Sequence, residues 1–471
     1  MNMSAAKSVH SRILPALLAT IFAVAVVAIA WRAPILNDDP YITFRYSWNL
    51  AHGNGFVYNP GERVAGSTAP LFALAIGILM KTGLPLRACV GVLAAVAYGL
   101  IGLGSWRLFR KEGLPWGGFA LAILLLFDPS LLSLYGSETS MAVGLALAAF
   151  ALHAEGRFNG AFIAAALLVG VRPDAGLVGV VLALVMLEKD KRRLWPALGW
   201  GALAFLPFYI AFVAYYHALV PHTLAVKAAQ GAASDVAPFW KGTIGFVKQL
   251  LLNQALPSGI LAAIGIVLII KRRWTPLPLF VLFYALAFCL INPPYYYYWY
   301  QYPYWLMRDA AVAWGIGWIA AAGWARAAAV AHGQARFYAR IAAALLLGAV
   351  MPATLWPARG DLGRHRARYD CYMATAQKIG ELKPASRRII LEEIGIIGYQ
   401  LPDWTVYDMA GLVHAQPYGQ LVGDNPPPLA MVRGDAATYP FTIAGKSVTY
   451  LRIASFKKDG YACTLMEPAK E

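Results

Sequence analysis

The stretch 86–106 reads LRACVGVLAAVAYGLIGLGSW and contains one charged residue, Arg87. A helix of this length and polarity can cross the hydrocarbon core of a bilayer. The chain as a whole is also apolar, since 59% of its 471 residues are hydrophobic and 14% are charged, whereas soluble domains are about half apolar and a quarter charged. The sequence therefore predicts a polytopic α-helical membrane protein and excludes a soluble domain, a disordered chain and a disulfide scaffold.

Hydropathy predicts about eleven transmembrane helices. If segment 70–80 does not cross the bilayer, the clusters of Lys and Arg in the loops fall on the cytoplasmic side, as the positive-inside rule requires. We therefore expect a multi-pass protein of the inner (plasma) membrane with a cytoplasmic N-terminus and with segment 70–80 in the outer interface. The expected spans are residues 13–31, 86–106, 194–216, 259–270, 276–291, 305–324 and 341–356, with four short spans between residues 116 and 187.

The character of the chain changes near residue 359, where the apolar density falls and charged residues scatter. We expect residues 1–358 to form a membrane module with a large first outer loop at 32–85, and residues 359–471 to form a small extracytoplasmic (periplasmic) α+β domain. Cys371 and Cys463 are the two cysteines that could meet outside a membrane, and whether they form a disulfide stays open. Strands are predicted at 387–391, 405–407 and 448–454, and a helix at 370–382 that ends at Lys383-Pro384.

The net charge, and the nucleotide- and metal-binding motifs that the sequence lacks, argue against several classes of function. The formal net charge is +16, and most of it comes from the Lys and Arg residues of the cytoplasmic loops and of the C-terminal region. The lipid bilayer, with its anionic headgroups, is therefore the expected partner, and nucleic acid is not. A P-loop is absent from the sequence, which argues against an ATP-driven pump. The histidines lack metal-ligand spacing, so no cofactor is predicted, although a divalent ion is left open.

Two adjacent acids, Asp38 and Asp39, follow the first expected span. Neighbouring carboxylates at the mouth of a membrane helix repel each other and lose water, which makes one of them a good proton acceptor. Either residue is a candidate general base. The alternative is a helix cap combined with an ion pair to Arg45.

Several motifs are spread over nearly the whole chain. The first outer loop contains Asp-Asp-x-Tyr-Ile-x-x-Arg-Tyr from Asp38, Asn-Leu-x-x-Gly-x-Gly from Asn49 and Val-Tyr-Asn-Pro-Gly-Glu-Arg-Val from Val57. Shorter motifs follow in order: Gly-Ser-Glu-Thr at 136–139, Val-Arg-Pro-Asp at 171–174, Pro-His-Thr at 221–223 with Lys227, and Asp-Met-Ala-Gly-Leu at 408–412. Together they resemble bacterial GT-C glycosyltransferases, in the branch that includes the cell-wall arabinofuranosyltransferases.

The resemblance implies an inverting glycosyltransferase that moves a monosaccharide from a polyprenyl-phosphate donor to a glycan or protein acceptor outside the membrane. It favours arabinofuranose as the sugar. In such enzymes the aspartate after the first span deprotonates the acceptor hydroxyl, and this role falls to Asp38, or next to Asp39. Glu138 is the other catalytic candidate, or else an N-cap of the helix that follows it.

The remaining candidate site residues are cations and possible sugar contacts. Three outer-side cations are the candidates for the donor phosphate, although each could instead pair with a neighbouring acid or lie in solvent: Arg45, Arg172 and Lys227. The predicted sugar contacts are Asp174, His222, Tyr297 and Tyr300. The aromatic run that contains both tyrosines could instead be an interfacial belt, and His222 could hydrogen-bond locally.

Two alternative functions stay open beside sugar transfer. A transporter or flippase of a lipid-linked saccharide is the first, although the inverted repeats and interrupted helices typical of transporters are not visible in the sequence. A structural protein whose outer domain binds glycan is the second. It leaves the pair Asp38-Asp39 unexplained.

Overall fold

A computed structural model describes residues 35–233, 237–252, 256–272, 276–294, 297–330, 359–382, 384 and 386–469. The expected spans 13–31 and 341–356 lie outside these residues. In chain order the helices before the C-terminal region are α1 (Asp39–Ala51), α2 (Pro70–Lys81), α3 (Leu86–Lys111), α4 (Pro115–Phe127), α5 (Pro129–Ser133), α6 (Thr139–Ala154), α7 (Phe158–Val171), α8 (Leu177–Lys189), α9 (Lys191–Tyr216), α10 (His222–Ala233), α11 (Phe239–Leu252), α12 (Leu256–Lys271), α13 (Pro276–Ile291) and α14 (Tyr302–Val330), with 3-10 turns at Pro173–Gly176 and Tyr298–Gln301.

Local sequence explains where these helices begin and end. The last turn of α3 contains Arg110 and Lys111, and cations there complement the negative end of the helix dipole. Gly113 follows with φ of 75°, a conformation that costs glycine little. Pro115 lies in the first turn of α4, where the missing N–H would have had no partner. The chain therefore reverses between two apolar helices at this point.

Helices α3 and α6 pack closely against each other. A Cβ atom on Gly144 would lie 2.6 Å from the carbonyl oxygen of Ala97, and a Cβ on Gly104 would lie 2.9 Å from the backbone of Leu147. Both glycines therefore let the two backbones approach closely, as small residues do between membrane helices. This contact fixes the start of α6, where Glu138 lies.

Among the described residues, three helical stretches are long and apolar enough to cross a membrane: Leu86–Lys111, Pro115–Ser133 and Lys191–Tyr216. The bent pair Pro257–Lys271 and Pro276–Ile291 would make a fourth. Shorter apolar helices include Pro70–Lys81, the segment expected in the outer interface. The predicted number of eleven spans and the position of this segment relative to the bilayer stay predictions.

The C-terminal region contains a six-stranded mixed sheet in the order β2-β1-β3-β6-β5-β4. The helix predicted at 370–382 ends at Leu382 as expected but begins at Arg359. The three predicted strands are present, whereas β3, β4 and β6 were not predicted. β1 pairs in parallel with β2 and β3, and the other pairs are antiparallel. The elements are α15 (Arg359–Leu382), β1 (Arg388–Leu391), α16 (Ile396–Gln400), β2 (Thr405–Asp408), α17 (Tyr418–Leu421), β3 (Leu429–Arg433), β4 (Thr438–Ile443), β5 (Lys446–Lys458) and β6 (Tyr461–Pro468).

Helix α15 packs on β6 of this sheet and brings Cys371 and Cys463 together. Both cysteines are buried free thiols. The Cys463 thiol donates to the backbone oxygen of Cys371, with sulfur and oxygen 3.5 Å apart. The disulfide that the sequence left open is therefore not formed in this structure.

Arg45 joins the outer loop to the C-terminal region. Its Nε donates to the carbonyl oxygen of Tyr58 at 2.8 Å, and its other nitrogens donate to the carbonyl oxygens of Gly398, Leu401 and Trp404. Arg45 is 1% exposed. This position corrects the prediction that Arg45 binds the donor phosphate, because backbone carbonyls already occupy its guanidinium group.

Candidate active site

A cavity of about 470 Å³ lies where the first turns of α1, α6 and α10 meet the 3-10 turn after α7 and the end of α13. Much of its wall is apolar and includes Leu177, Val180 and Phe288. An apolar wall suits a lipid chain, and a few charged groups can then orient a polar head. The predicted site residues that line the cavity are Asp39, Glu138, Arg172, Asp174, Lys227 and Tyr300.

Arg172 lies at the centre of an ion-pair cluster. Its Nε and Nη2 donate to the two carboxylate oxygens of Asp174 at 3.1 and 2.9 Å, and its Nη1 donates to Glu138 at 3.2 Å. Pro173 begins a 3-10 turn directly after Arg172, which brings the next carboxylate back to the guanidinium. The alternative interpretation of Arg172, pairing with these acids, is therefore observed. Glu138 makes no side-chain cap bond.

Lys227 is held by aromatic rings. Its Nζ lies 4.6, 5.0 and 5.7 Å from the ring centroids of Tyr297, Trp299 and Tyr300, which are cation–π distances. It forms no ion pair with any residue in the described ranges. Trp299 and Tyr300 also line the cavity. The hydroxyl of Tyr300 also hydrogen-bonds to the Lys227 amine. Arg172 is paired with two acids, so Lys227 is the cation of this wall that forms no ion pair among the described residues.

Asp39 is the first residue of α1, and Pro40 follows it in the first turn. The side chain is half-buried and faces the cavity. Within the described part of the chain, no hydrogen bond or ion pair occupies its carboxylate. Its charge is close enough to Lys227 and Glu138 to interact with both. The cavity therefore contains one carboxylate, Asp39, and one cation, Lys227, that form no ion pair among the described residues.

Asp38 lies outside the cavity, and the C-terminal region covers it. The residue is 1% exposed, and its two carboxylate oxygens accept from the backbone N–H groups of Gly395 and Ile396 at 2.8 and 2.7 Å. Burial raises the pKa of Asp38 to about 6, against the opposing effects of the Arg368 charge and the two N–H donors. Of the two acids, Asp39 thus lines the cavity, whereas Asp38 binds the backbone of the loop before α16.

The stability of the contact between Asp38 and the loop before α16 should depend on pH. Burial, with the charge of Asp38, raises the pKa of Glu393 from 4.5 to about 8. The folded protein therefore binds this proton more tightly than the unfolded chain does. The stability so contributed is complete below pH 4.5 and is lost as the pH rises through about 8. We expect the Tm of the purified protein to fall between pH 6 and 8, and to fall less in Glu393→Gln.

The matched control for this experiment is Glu392→Gln, since Glu392 and Glu393 both pair with Arg433 and each substitution therefore removes one ion pair with the same arginine. Its Tm should follow that of the unsubstituted protein across the pH range. An unchanged pH dependence in Glu393→Gln would show that another group is responsible.

Comparison with known proteins shows which solved structure shares this fold. No family model matches the chain. ArnT from Cupriavidus metallidurans, solved with undecaprenyl phosphate bound, superposes with a TM-score of 0.51 over 95% of this chain and 97% of ArnT, at 14% identity. The same protein in the apo state gives a TM-score of 0.53 over the same shares, also at 14% identity. The chain has the ArnT fold. The predicted GT-C membrane fold is thus confirmed, while the number of spans and the orientation of the termini stay predictions.

Two curated relatives are named terminal beta-(1->2)-arabinofuranosyltransferase. The one from Mycobacterium tuberculosis is 28% identical over 280 residues, which cover 52% of this chain and 42% of the relative. The one from Corynebacterium glutamicum is 27% identical over 241 residues, which cover 43% and 34%. The chain therefore spans less than half the length of these relatives. The predicted resemblance to GT-C glycosyltransferases of the arabinofuranosyltransferase branch is confirmed at this level.

Two predicted sugar contacts lie beside the cavity of this ArnT fold instead of on its wall. His222 Nε2 lies 3.2 Å from the carbonyl oxygen of Gly411, so the local hydrogen bond left open by the sequence is observed and substrate binding by its ring is not supported. The hydroxyl of Tyr297 donates to Gln230 at 3.3 Å, and the ring contacts Lys227. Tyr297 therefore positions the lysine.

Other polar residues of the cavity wall were not predicted as site residues, although two of them belong to the motifs at 136–139 and 221–223. Asn37, Thr139 and Thr223 line it, and Thr139 accepts from Arg172 Nη1 at 3.2 Å. The four-residue spacing of Thr223 and Lys227 was the available signal, since such residues share a helix face. Within the described ranges no group of three His, Cys, Asp or Glu residues could hold a metal ion, and the absence of a cofactor stays a prediction.

Proposed function

We propose that this chain is an inverting membrane glycosyltransferase that moves one monosaccharide from a polyprenyl-phosphate donor to a glycan or protein acceptor outside the membrane. One observation carries the proposal: in a chain with the ArnT fold, the carboxylate of Asp39 and the ammonium of Lys227, neither of them in an ion pair among the described residues, line one largely apolar cavity. The solved ArnT structure contains undecaprenyl phosphate. The names of the two curated relatives favour arabinofuranose as the sugar.

In the proposed reaction, the Asp39 carboxylate accepts the proton of the acceptor hydroxyl. The hydroxyl oxygen forms a bond to the anomeric carbon as the bond from that carbon to the phosphate oxygen breaks. The phosphate leaves with the bonding electrons, and attack from the opposite face inverts the configuration. A general base of this kind contributes about 10²–10⁴-fold to the rate. No residue of the chain is covalently modified in this scheme.

The cation for the departing phosphate is Lys227. Negative charge increases on the phosphate as the sugar leaves, so an ammonium group in a largely apolar cavity stabilises the transition state more than the ground state. Arg172 has a different proposed role. Because it is bonded to Asp174 and Glu138, it holds these carboxylates in position to accept hydrogen bonds from sugar hydroxyls.

The proposed reaction also implies on which side of the membrane the cavity lies. We place the cavity and residues 359–471 on the extracytoplasmic side of the inner membrane, where a lipid-linked donor and an envelope acceptor would meet. The apolar wall formed by Leu177, Val180 and Phe288 then contacts the polyprenyl chain.

The test measures donor affinity and sugar transfer with the purified chain in nanodiscs. We expect Lys227→Met to weaken binding of a polyprenyl-phosphate sugar by about 10–100-fold, the value of a hydrogen bond to a charged group. Lys241→Met is the matched control, because Lys241 is an exposed lysine that lies over Trp240 outside the cavity. Equal donor affinity in both variants would contradict the role of Lys227. Movement of the intact lipid-linked sugar across vesicles without transfer would favour the flippase alternative.

A further inference from the structure

Thr223 is a buried cavity residue whose hydroxyl is unused. Its side chain lies on the cavity wall, and the residue is 3% exposed. Its Oγ1 has no hydrogen-bond partner within the described structure. A buried hydroxyl that bonds to nothing destabilises the folded state. A ligand that enters the cavity would supply the missing partner of this hydroxyl.

The other hydroxyls near the ion-pair cluster are already engaged. Ser137 Oγ donates to Thr139 Oγ1 at 3.2 Å, and Thr139 Oγ1 also accepts from Arg172. Thr223 differs because its hydroxyl can still donate one hydrogen bond and accept others.

Thr223 and Lys227 lie one helical turn apart on α10. Residues four apart share a face of a helix, and both line the cavity together with Leu224. Lys227 supplies a charge and Thr223 a directed hydrogen bond. This combination on one face matches a phosphate oxygen, which accepts both.

The start of α10 also faces the cavity. Val220 and Pro221, which precede the helix, contribute to the wall. The first turn is fixed in place, since the His222 N–H donates to the Ala65 carbonyl oxygen at 2.9 Å. The N-terminus of a helix of this length carries partial positive charge and favours an anion. The charge of Lys227, the hydroxyl of Thr223 and the N-terminus of α10 thus all favour a negatively charged ligand.

We propose that Thr223 donates a hydrogen bond to the phosphate group of the polyprenyl-phosphate donor beside Lys227, so that the first turns of α10 form a phosphate-binding site. This proposal rests on the proposed function and adds a second ligand to the same phosphate. A hydroxyl of the transferred sugar is the competing ligand. The two are separable, because polyprenyl phosphate without sugar retains the phosphate and loses every sugar hydroxyl.

The experiment titrates polyprenyl phosphate, the sugar-loaded donor and the uncharged polyprenol into the full chain in nanodiscs. Thr223→Val keeps the shape of the side chain and removes the hydroxyl. We expect it to bind polyprenyl phosphate about tenfold more weakly, whereas Thr223→Ser binds as the unsubstituted protein does. Polyprenol should bind equally to all variants. Thr243→Val, a threonine of α11 outside the cavity lining, is the matched control and should change nothing.

Each outcome bears on the proposal. Unchanged affinity of Thr223→Val for polyprenyl phosphate would overturn it. A loss seen only with the sugar-loaded donor would assign the hydroxyl to the sugar and also overturn it. An equal loss with polyprenol would show that Thr223 shapes the lipid pocket instead. If the unsubstituted protein bound no polyprenyl phosphate, the proposed function itself would fail, and the variants would not be needed to show it.

Discussion

Asp39→Asn should lower the rate of sugar transfer by about 10³-fold while leaving donor binding intact. The amide is nearly isosteric with the carboxylate but cannot accept the proton of the acceptor hydroxyl at neutral pH. Asp39 faces the cavity, and no described residue bonds to its carboxylate, so the substitution removes little from the fold. Single-turnover transfer in nanodiscs, with donor affinity measured separately, tests the expectation.

Asp38→Asn is the informative comparison. Its carboxylate accepts two backbone N–H groups, and an amide can accept only one of them while its own NH₂ group faces the other. We expect a lower Tm and a much smaller loss of turnover per folded molecule than in Asp39→Asn. The reverse pattern, a folded but inactive Asp38→Asn and an active Asp39→Asn, would move the general base to Asp38.

Arg45→Met should cause the largest loss of stability, about 3–5 kcal/mol. The guanidinium donates to carbonyl oxygens of the outer loop and of the segment between β1 and β2. Methionine fills much of the space but removes the charged donor from four carbonyl oxygens; those of Tyr58, Gly398 and Leu401 keep a second donor, from Asn49 and from backbone N–H groups. Thermal unfolding in detergent, followed by protease sensitivity of the C-terminal region, measures the effect.

Arg63→Met provides the control, because Arg63 belongs to the same loop but is exposed and lies over the ring of Tyr215. A surface change of this kind should cost no more than about 0.5 kcal/mol. If Arg45→Met were equally mild, the outer loop would not depend on its carbonyl contacts for docking to the sheet.

Several site residues could be predicted because their positions in the sequence are unusual. Glu138, Arg172 and Asp174 interrupt an otherwise apolar stretch, and ionisable residues at the ends of membrane helices are costly unless they pair or act. The structure brings all three together around the guanidinium of Arg172. Lys227 was predictable for a similar reason, since it departs from the positive-inside pattern.

The choice between Asp38 and Asp39 required the structure. Adjacent side chains at the start of a helix point about 100° apart, so only one of them could face the cavity, and the sequence does not state which. The backbone of Gly395 and Ile396, more than 350 residues further along the chain, takes the first acid. Arg45 is similar, because its carbonyl partners at Gly398, Leu401 and Trp404 are equally distant in sequence.

The sequence by itself determined that this chain is a helical membrane protein with acids and cations near the ends of its helices, because hydropathy and charge are local properties that the bilayer sorts directly. Only the tertiary structure decided which of these groups are neutralised and which remain free. Asp38 and Arg45 became structural through contacts with the C-terminal region, whereas Asp39 and Lys227 were left facing the cavity. The physical reason is that a charge loses or keeps its reactivity according to the partners that long-range folding brings to it.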